Sequence, residues 1–296
     1  MENKPIVVGV DGSAASYGAV RWAAREAAIR STRLLLLCCV DDDLITLSDY
    51  PIPDAYFDLL NDRADKDLAE ALALATTEAD DAGTDIGIDK KRLLCEPRLG
   101  LQRMSEGADL LVVGAEGQTP RAPGVLGRVA DALTSHAACP VVVVRDHPGP
   151  AREATPEAVV VGVDGSRSGE LAVRLAYEEA ALRNTRLVAV HAWNVTKLHP
   201  LFKGEHSGLS WDDAKTAEEA VLSEALAGYR EKYPDVEVTT QVPASDPVGA
   251  LRDASADAAL LVVGSRGRSN FIARVLGSTS RALLNTASCP VLIARP

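Results

Sequence analysis

Three glycines and a serine near the end of the chain have the residue types and spacing of a phosphate-binding loop. Gly264 and Gly267 follow the apolar run at residues 260–263, and Gly277 and Ser278 open a new segment with helical periodicity. This order predicts a buried strand, a glycine-bearing loop and a helix N-terminus. The first N–H groups of a helix have no partner within it and carry the positive end of its dipole, so they stabilise a phosphate placed there.

The same stretch supplies further donors and positive charge. Its glycines let the backbone approach an anion closely, while its hydroxyl and guanidinium groups donate hydrogen bonds to phosphate oxygens. A tight turn followed by an ordinary helix cap would use the same glycines, so the spacing alone leaves both interpretations open. The candidate residues here are Gly264, Ser265, Arg266, Gly267, Arg268, Arg274, Gly277, Ser278 and Thr279.

Composition and charge argue against several classes of function. The formal net charge of the 296-residue chain is −11, which disfavours non-specific binding to nucleic acid or to anionic membranes, because both depend on basic patches. No run of 18 apolar residues is present, so we expect no membrane span. The first residues, MENKPIVVGVDG, lack a signal-peptide pattern, and a cytoplasmic protein is therefore expected.

The five cysteines also support the expectation of a cytoplasmic protein. They form no Cys-x-x-Cys pair, their number is odd, and each lies in or beside an apolar stretch. This pattern favours buried, reduced thiols over metal-binding or redox roles. The five are Cys38, Cys39, Cys95, Cys139 and Cys289.

The chain contains an internal repeat. The sequence VVGVDGS at residues 7–13 returns at residues 160–166, and LLVVG at residues 110–114 returns at residues 260–264. A proline-rich stretch, HPGPAREATP, lies between the copies. These features predict a duplicated domain, with domain 1 at residues 1–146, a linker at 147–156 and domain 2 at 157–296.

Strand-like and helix-like segments alternate within each copy. In the first copy, strands are expected at residues 6–10, 34–40, 91–95, 110–113 and 141–144, and helices at 17–30, 58–82, 98–106 and 127–137. This order predicts an α/β fold of two tandem open, mostly parallel five-stranded sheets with helices on both faces. Ligands of such sheets bind at the carboxyl ends of the strands, where the strand order reverses.

That rule places two residues of the second copy opposite each other. Asp164 ends the first strand and Gly264 ends the fourth, so they face each other if those strands are neighbours. Gly162 leaves room for a ligand, although a glycine that merely packs within its strand is an open alternative.

Taken together, these motifs resemble the ATP-binding, tandem-domain universal stress proteins of actinobacteria, over both halves of the chain. The nucleotide motif of that family, Gly-x2-Gly-x9-Gly-Ser/Thr, is matched by Gly264, Gly267, Gly277 and Ser278. The resemblance implies a Rossmann-like universal stress protein fold, ATP as the ligand, Mg²⁺ accompanying the triphosphate, and a homodimer. It also implies that Asp164 contacts the adenosine part and that the backbone near Ala192 meets adenine.

The first copy departs from this motif. Gly114, Gly117 and Gly127 keep the spacing, but Arg128 replaces the serine and Glu116 stands where the second copy has arginine. The loop also contains two prolines, which remove N–H donors. We therefore expect a weaker nucleotide site in this copy, formed by Gly9, Asp11, Cys39, Gly114, Gly117, Gly127 and Arg128.

No residue set supplies an activated nucleophile, a catalytic base and a metal cage together, and no GxxxxGK[ST] signature is present. His191 is expected to be a hydrogen-bonded histidine at a strand end rather than a catalytic base. The expected function is a nucleotide-binding, stress-response regulatory protein that acts on an unknown partner. Slow ATP hydrolysis assisted by Asp164 and Mg²⁺ and a non-nucleotide interaction scaffold remain alternatives, as does cyclic AMP as the ligand.

Overall fold

The computed structural model describes residues 4–41, 54–119, 122, 124–145, 158–193, 211–267 and 276–295. The chain divides into two compact units, Met1–Pro148 and Gly149–Arg295. No helix among the described residues is long and apolar enough to cross a membrane.

The first unit contains a parallel sheet with the strand order β3-β2-β1-β4-β5. Helices α1 and α2 pack against each other, as do α3 and α4, and both pairs contact the sheet. Its elements are β1 (Ile6–Val10), α1 (Ala14–Arg30), β2 (Leu34–Val40), α2 (Asp54–Asp81), β3 (Ile88–Leu94), α3 (Pro97–Ser105), β4 (Leu110–Gly114), α4 (Arg128–His136) and β5 (Val141–Val144).

The second unit repeats this arrangement, with the order β8-β7-β6-β9-β10 and parallel pairing throughout. Its elements are β6 (Ala158–Gly162), α5 (Arg167–Leu182), β7 (Arg186–Val190), α6 (Trp211–Ala225), α7 (Tyr229–Lys232), β8 (Val238–Gln241), α8 (Pro247–Ala254), β9 (Leu260–Gly264), α9 (Ser278–Thr286) and β10 (Val291–Ala294).

Burial explains why these segments form strands. The central strands are apolar on both faces and almost wholly buried, as expected where helices cover both faces of a parallel sheet. The outer strands β3 and β8 are mostly exposed and carry polar side chains. In each unit the strand order reverses between the first and the fourth strand, which are neighbours, so the condition set in the sequence analysis is met. The predicted α/β fold is confirmed.

Helix starts differ from the predicted ones by a few residues. Helix α1 begins at Ala14 rather than residue 17, because the Ser13 hydroxyl accepts a hydrogen bond from the Ser16 N–H and caps the helix. Helix α2 begins at Asp54 rather than residue 58. The alternating order of elements is unaffected.

Candidate functional site

The carboxyl ends of β6 and β9 lie together in the second unit. A Cβ atom built on Gly267 would lie 3.1 Å from Oδ2 of Asp164, so the aspartate lies directly against the glycine loop. These are the two strands at which the order reverses, where α/β sheets bind their ligands. The structure thus brings Asp164 and the glycine motif to one place, as the strand-end argument required.

Short hydrogen bonds orient Asp164. Its Oδ1 accepts from the backbone N–H of Ser166 at 3.0 Å and from the Ser166 hydroxyl at 2.6 Å. Ser166 in turn caps helix α5 by accepting from the Gly169 N–H at 3.1 Å. In the first unit, Asp11 Oδ1 accepts from the N–H and hydroxyl of Ser13 at the same two distances. The Asp-Gly-Ser sequence therefore builds the same turn in both copies.

The loop after β9 is closed at its base. The Gly277 N–H donates to the Ser265 carbonyl at 3.0 Å, and the Ser280 hydroxyl donates to the Gly264 carbonyl at 2.7 Å. These bonds hold the two ends of the glycine motif side by side. Arg268 and Arg274, which the motif analysis also selected, lie outside the described residues.

Ser168, which sequence reasoning missed, ties this loop to helix α5. Its hydroxyl donates to the Arg266 carbonyl at 2.5 Å. Serines in a first helical turn are common, so the sequence carried no signal for this contact.

Helix α9 begins without a side-chain cap. Its N-cap is Gly277, which has no side chain to accept from the first turn, whereas Ser166 caps α5 and Asp246 caps α8. Ser278 and Thr279 form the start of this helix, and Ser278 is exposed. The first turn of α9 thus presents backbone donors and hydroxyl groups beside the loop, as a bound anion would require.

Two glycines of the proposed site have packing roles. A Cβ atom on Gly264 would lie 3.0 Å from the backbone of Ser168, so this glycine lets α5 approach the end of β9. A Cβ atom on Gly162 would lie 3.0 Å from Cδ1 of Leu251. The space beside Gly162 is filled by this leucine, which favours the packing interpretation that the sequence had left open.

His191 is buried and hydrogen-bonded through both ring nitrogens. Nδ1 lies 2.7 Å from the Val163 carbonyl oxygen, and Nε2 lies 2.7 Å from a carboxylate oxygen of Glu218. The histidine therefore connects the end of β7 to the turn before Asp164 and to helix α6. This geometry matches the predicted structural role, but Glu218 lies far along the sequence and no motif marked it.

Ala192 follows His191 and is half-buried at the end of β7. The next residue, Trp193, is 5% exposed, and its ring is tilted against that of Trp211, with the centroids 4.9 Å apart. An aromatic pair thus lies beside the backbone predicted to meet adenine.

The first unit contains a cavity of about 570 Å³ at the carboxyl ends of its strands. Ligand pockets for small molecules commonly have this size. The cavity is lined by every residue predicted for the weaker site: Gly9, Asp11, Cys39, Gly114, Gly117, Gly127 and Arg128.

Helix α2 contributes side chains to this cavity that sequence reasoning missed. Arg63 Nη2 donates to Oε1 of Gln118 at 2.6 Å, and Gln118 Nε2 donates to the Asp11 carbonyl oxygen. Gln118 therefore bridges the glycine loop, the end of β1 and helix α2. Residues 120, 121 and 123 of this loop, including both prolines, lie outside the described residues.

Comparison with known proteins assigns the fold and motifs to a family. The model described as the Universal stress protein family matches residues 2–145 and again residues 156–295. The chain belongs to the universal stress protein family. Membership carries the family's stress-response role, and the two matches show two tandem universal stress protein domains.

Similar proteins cover the whole chain. Two universal stress proteins of Mycobacterium tuberculosis are each 36% identical to it, over 290 and 291 residues, and each alignment covers 98% of this chain and 96% of the relative. A universal stress protein structure from Archaeoglobus fulgidus matches with a TM-score of 0.68 at 18% identity, covering 99% of this chain and 97% of that one. At that identity, the structural match supports the fold.

The charges around the cavity differ from those expected of a polyphosphate site. Five carboxylate side chains and three guanidinium groups line it in this universal stress protein domain. Glu116 forms an ion pair with Arg145 at 3.0 Å, so part of its charge is compensated. The carboxylates are Asp11, Asp41, Asp67, Glu96 and Glu116, and the guanidinium groups are those of Arg63, Arg98 and Arg128.

Asp67 lines this cavity and has a raised carboxyl pKa. Burial raises its pKa, Arg63 and the Tyr17 hydroxyl lower it, and the charges of Asp11 and Glu70 raise it further. Its carboxylate lies against Gly12, whose φ of +79° belongs to the turn after β1. The ionised form is therefore less favourable in the folded protein than in the unfolded chain.

We predict that Asp67→Asn changes the pH dependence of stability. Because the folded pKa is raised, the folded state binds more protons between the unfolded and folded pKa values, and wild-type stability falls as pH rises through this window. The variant should be more stable than wild type at pH 7, with a smaller advantage at pH 5. Urea unfolding at both pH values tests this, with the exposed Asp62→Asn on the same helix as control. A larger advantage at pH 5 would contradict the prediction.

Proposed function

We propose that this chain is a cytoplasmic, ATP-binding stress-response regulator whose second unit holds the intact nucleotide site. The observation that carries the proposal is the junction of Asp164 with Gly267 beside the start of α9, where Ser278 stands at the position that Arg128 occupies in the otherwise similar first unit. An adenosine group at Asp164 and Ala192 would leave its phosphates next to the glycine loop. Backbone donors, hydroxyl groups and the arginines of the motif would hold them.

The geometry fits a nucleotide because backbone groups form most of the proposed phosphate-binding loop. The closed loop base fixes Gly264 and Gly277, while the bond from Ser168 fixes Arg266. Mg²⁺ would arrive with the triphosphate and neutralise part of its charge. Among the described residues, no group of three or more His, Cys, Asp or Glu side chains forms a resident metal site.

We propose that the first unit binds the triphosphate more weakly or not at all. Carboxylates outnumber guanidinium groups around its cavity, which disfavours a polyanion. Gln118 already bridges from the glycine loop to Asp11, across the position where a ligand would contact both. Arg128 at the start of α4 supplies one compensating charge.

A regulatory role fits the site better than turnover does. Asp164 is held by Ser166, and His191 is committed to Val163 and Glu218, so the site's two conspicuous titratable groups have structural partners. Nucleotide occupancy would then act through a conformational or binding difference recognised by a protein partner. We further propose that the chain acts as a homodimer, as the family resemblance implies.

Titration calorimetry of nucleotide-stripped protein with Mg-ATP tests the proposal. We expect one dominant site per chain, weakened at least tenfold by Asp164→Ala and left within twofold by the matched variant Asp11→Ala. Each substitution removes the same turn in its own copy, so the pair of variants shows which unit holds the nucleotide.

Other results would redirect the proposal. Two equal sites per chain would contradict the inequality of the two units. Heat on adding cyclic AMP but none on adding ATP would assign a different ligand. The absence of binding by either nucleotide would favour the interaction-scaffold alternative.

A further inference from the structure

Two of the five cysteines differ from the others in exposure. All five lie among the described residues and none forms a disulfide. Cys38, Cys139 and Cys289 are buried, whereas Cys39 and Cys95 are half-buried. The expectation of five buried thiols is therefore wrong for this pair: Cys39 is the next-to-last residue of β2, and Cys95 directly follows β3.

The half-buried thiols lie next to each other. A Cβ atom built on Gly100 would lie 2.6 Å from Sγ of Cys39 and 2.7 Å from Sγ of Cys95. The two sulfur atoms can therefore be no farther apart than the sum of these distances, about 5.3 Å. Rotation about the Cα–Cβ bonds moves a sulfur over comparable distances, so a disulfide is within reach of side-chain motion.

The pair lies in one wall of the cavity in the first unit. Cys39 lines the cavity, and Cys95 comes directly before Glu96 and Pro97, which also line it. The Cys95 N–H donates to the Val40 carbonyl at 3.0 Å and joins this turn to the end of β2. Cys95 is itself partly exposed beside these lining residues, so a small oxidant can reach its end of the pair.

We propose that Cys39 and Cys95 are a reversible dithiol site that a hydroperoxide oxidises to a disulfide. The bond would link the end of β2 to the turn that begins α3 and would thereby fix one wall of the cavity. This inference concerns a modification of the chain and does not depend on the nucleotide proposal.

The chemistry balances with the hydroperoxide as the two-electron oxidant. The Cys95 thiolate attacks one peroxide oxygen, the O–O bond breaks, and the alkoxide leaves and takes up a proton, so that Cys95 becomes a sulfenic acid. The Cys39 sulfur then attacks the Cys95 sulfur, the S–S bond forms and the S–O bond breaks, with water as the leaving product. Two thiols and one hydroperoxide thus give a disulfide, an alcohol and water.

The environment of Cys39 argues against this thiol as the first nucleophile. Burial is the main cause of its raised pKa, and the neighbouring Cys95 sulfur raises it further. A thiol that stays protonated is a poor first nucleophile, so the first attack falls to Cys95.

The second unit has no corresponding pair of cysteines. The residues at the corresponding repeat positions are Ala192, after β7, and Ser245, just before Asp246 and Pro247. Oxidation would therefore modify only the first unit and would leave the glycine loop of the second unit chemically unchanged.

The test is peroxide titration of the purified full-length protein, followed by non-reducing peptide mass spectrometry. We expect a loss of two hydrogen atoms per chain, a crosslink between the Cys39 and Cys95 peptides, and reversal by dithiothreitol. The disulfide closes a loop of about 57 residues, so the melting temperature of the first unit should rise by roughly 5 °C or more.

Matched variants separate this pair from the neighbouring thiols. Cys39→Ser and Cys95→Ser should each abolish the crosslink and the melting shift, and either variant suffices if the other fails to fold. Cys38→Ala should retain both effects. Cys38 also lines the cavity, but its side chain lies on the opposite face of β2 from that of Cys39, and burial raises the pKa of its thiol to about 11. A crosslink that persists in Cys39→Ser, or peroxide treatment that gives only overoxidised cysteines or chain-to-chain disulfides, would overturn the proposal.

Discussion

Replacing Gly277 with Asp is expected to abolish the stabilisation that Mg-ATP gives to the second unit. Gly277 has a φ of −59° at the N-cap of α9, and a Cβ atom there would meet its nearest neighbour at 3.6 Å, an ordinary contact. Aspartate is a favoured N-cap, so the variant should fold normally. Its carboxylate would nevertheless accept from the first turn and place a negative charge where a phosphate would bind.

The size of the expected melting shift follows from the linkage between ligand binding and folding. Ligand at 100 times its dissociation constant stabilises the folded state by about 2.7 kcal/mol, which raises the melting temperature of a unit of this size by roughly 5–10 °C. Differential scanning calorimetry with and without Mg-ATP should show this shift in wild type and none in Gly277→Asp.

The first unit provides the control for that experiment. Gly127 is the equivalent N-cap of α4, and a Cβ atom there would lie 3.2 Å from the Ala115 carbonyl oxygen, which a small displacement can relieve. Gly127→Asp should keep the ATP-induced shift. Loss of the shift in Gly127→Asp, with its retention in Gly277→Asp, would assign the nucleotide to the first unit instead.

Gly114→Ala is expected to have the largest effect on stability. The added methyl group would lie 2.7 Å from the carbonyl carbon of Ala15 and 2.9 Å from the backbone nitrogen of Ser16. These atoms belong to the first turn of α1 and cannot move without displacing the helix from the sheet. Overpacking of this kind costs about 3 kcal/mol, and the loss should appear in denaturant unfolding without any nucleotide.

Alanine substitutions at two other glycines serve as comparisons for this loss of stability. At Gly264 the closest backbone atom is 3.0 Å away, so Gly264→Ala should cost less than Gly114→Ala. Gly107 has no neighbour within 4 Å of an added Cβ atom, and Gly107→Ala should stay within about 0.5 kcal/mol of wild type. Equal losses at Gly107 and Gly114 would show that helix-to-strand packing is not the cause.

Local sequence patterns were sufficient to predict the sheet, and they indicated the sheet edge at which the candidate site lies. Apolar runs of four to seven residues predict buried strands, and alternation with helices limits the topology to a parallel sheet. Since the carboxyl ends of such strands meet at one edge, Asp164 and Gly264 were expected to face each other if their strands were neighbours.

The sequence did not reveal contacts made by the intervening helices. Arg63 meets Gln118, and Glu218 meets His191, across 55 and 27 positions of the chain. Each helix carries several charged residues, and only the rotation of the helix on the sheet decides which one faces the site. The pairing of Cys39 with Cys95 depends in the same way on how tightly Gly100 of α3 approaches the ends of β2 and β3.

The roles of the glycines are a second feature that the sequence alone did not determine. A glycine that binds a ligand cannot be distinguished in a sequence from one that permits close packing. In the structure, Gly114, Gly162 and Gly264 all lie against neighbouring side chains or backbone. Their spacing therefore reflects the close approach of helices to strands as well as any approach by a phosphate.

The tilted pair formed by Trp193 and Trp211 gives the second unit an intrinsic fluorophore. The chain has three tryptophans, and the third, Trp22, belongs to helix α1 of the first unit. Trp193 is buried directly after Ala192, while Trp211 is half open to solvent at the start of α6. Emission from this pair should therefore report on the surroundings of Ala192 in solution without an attached dye.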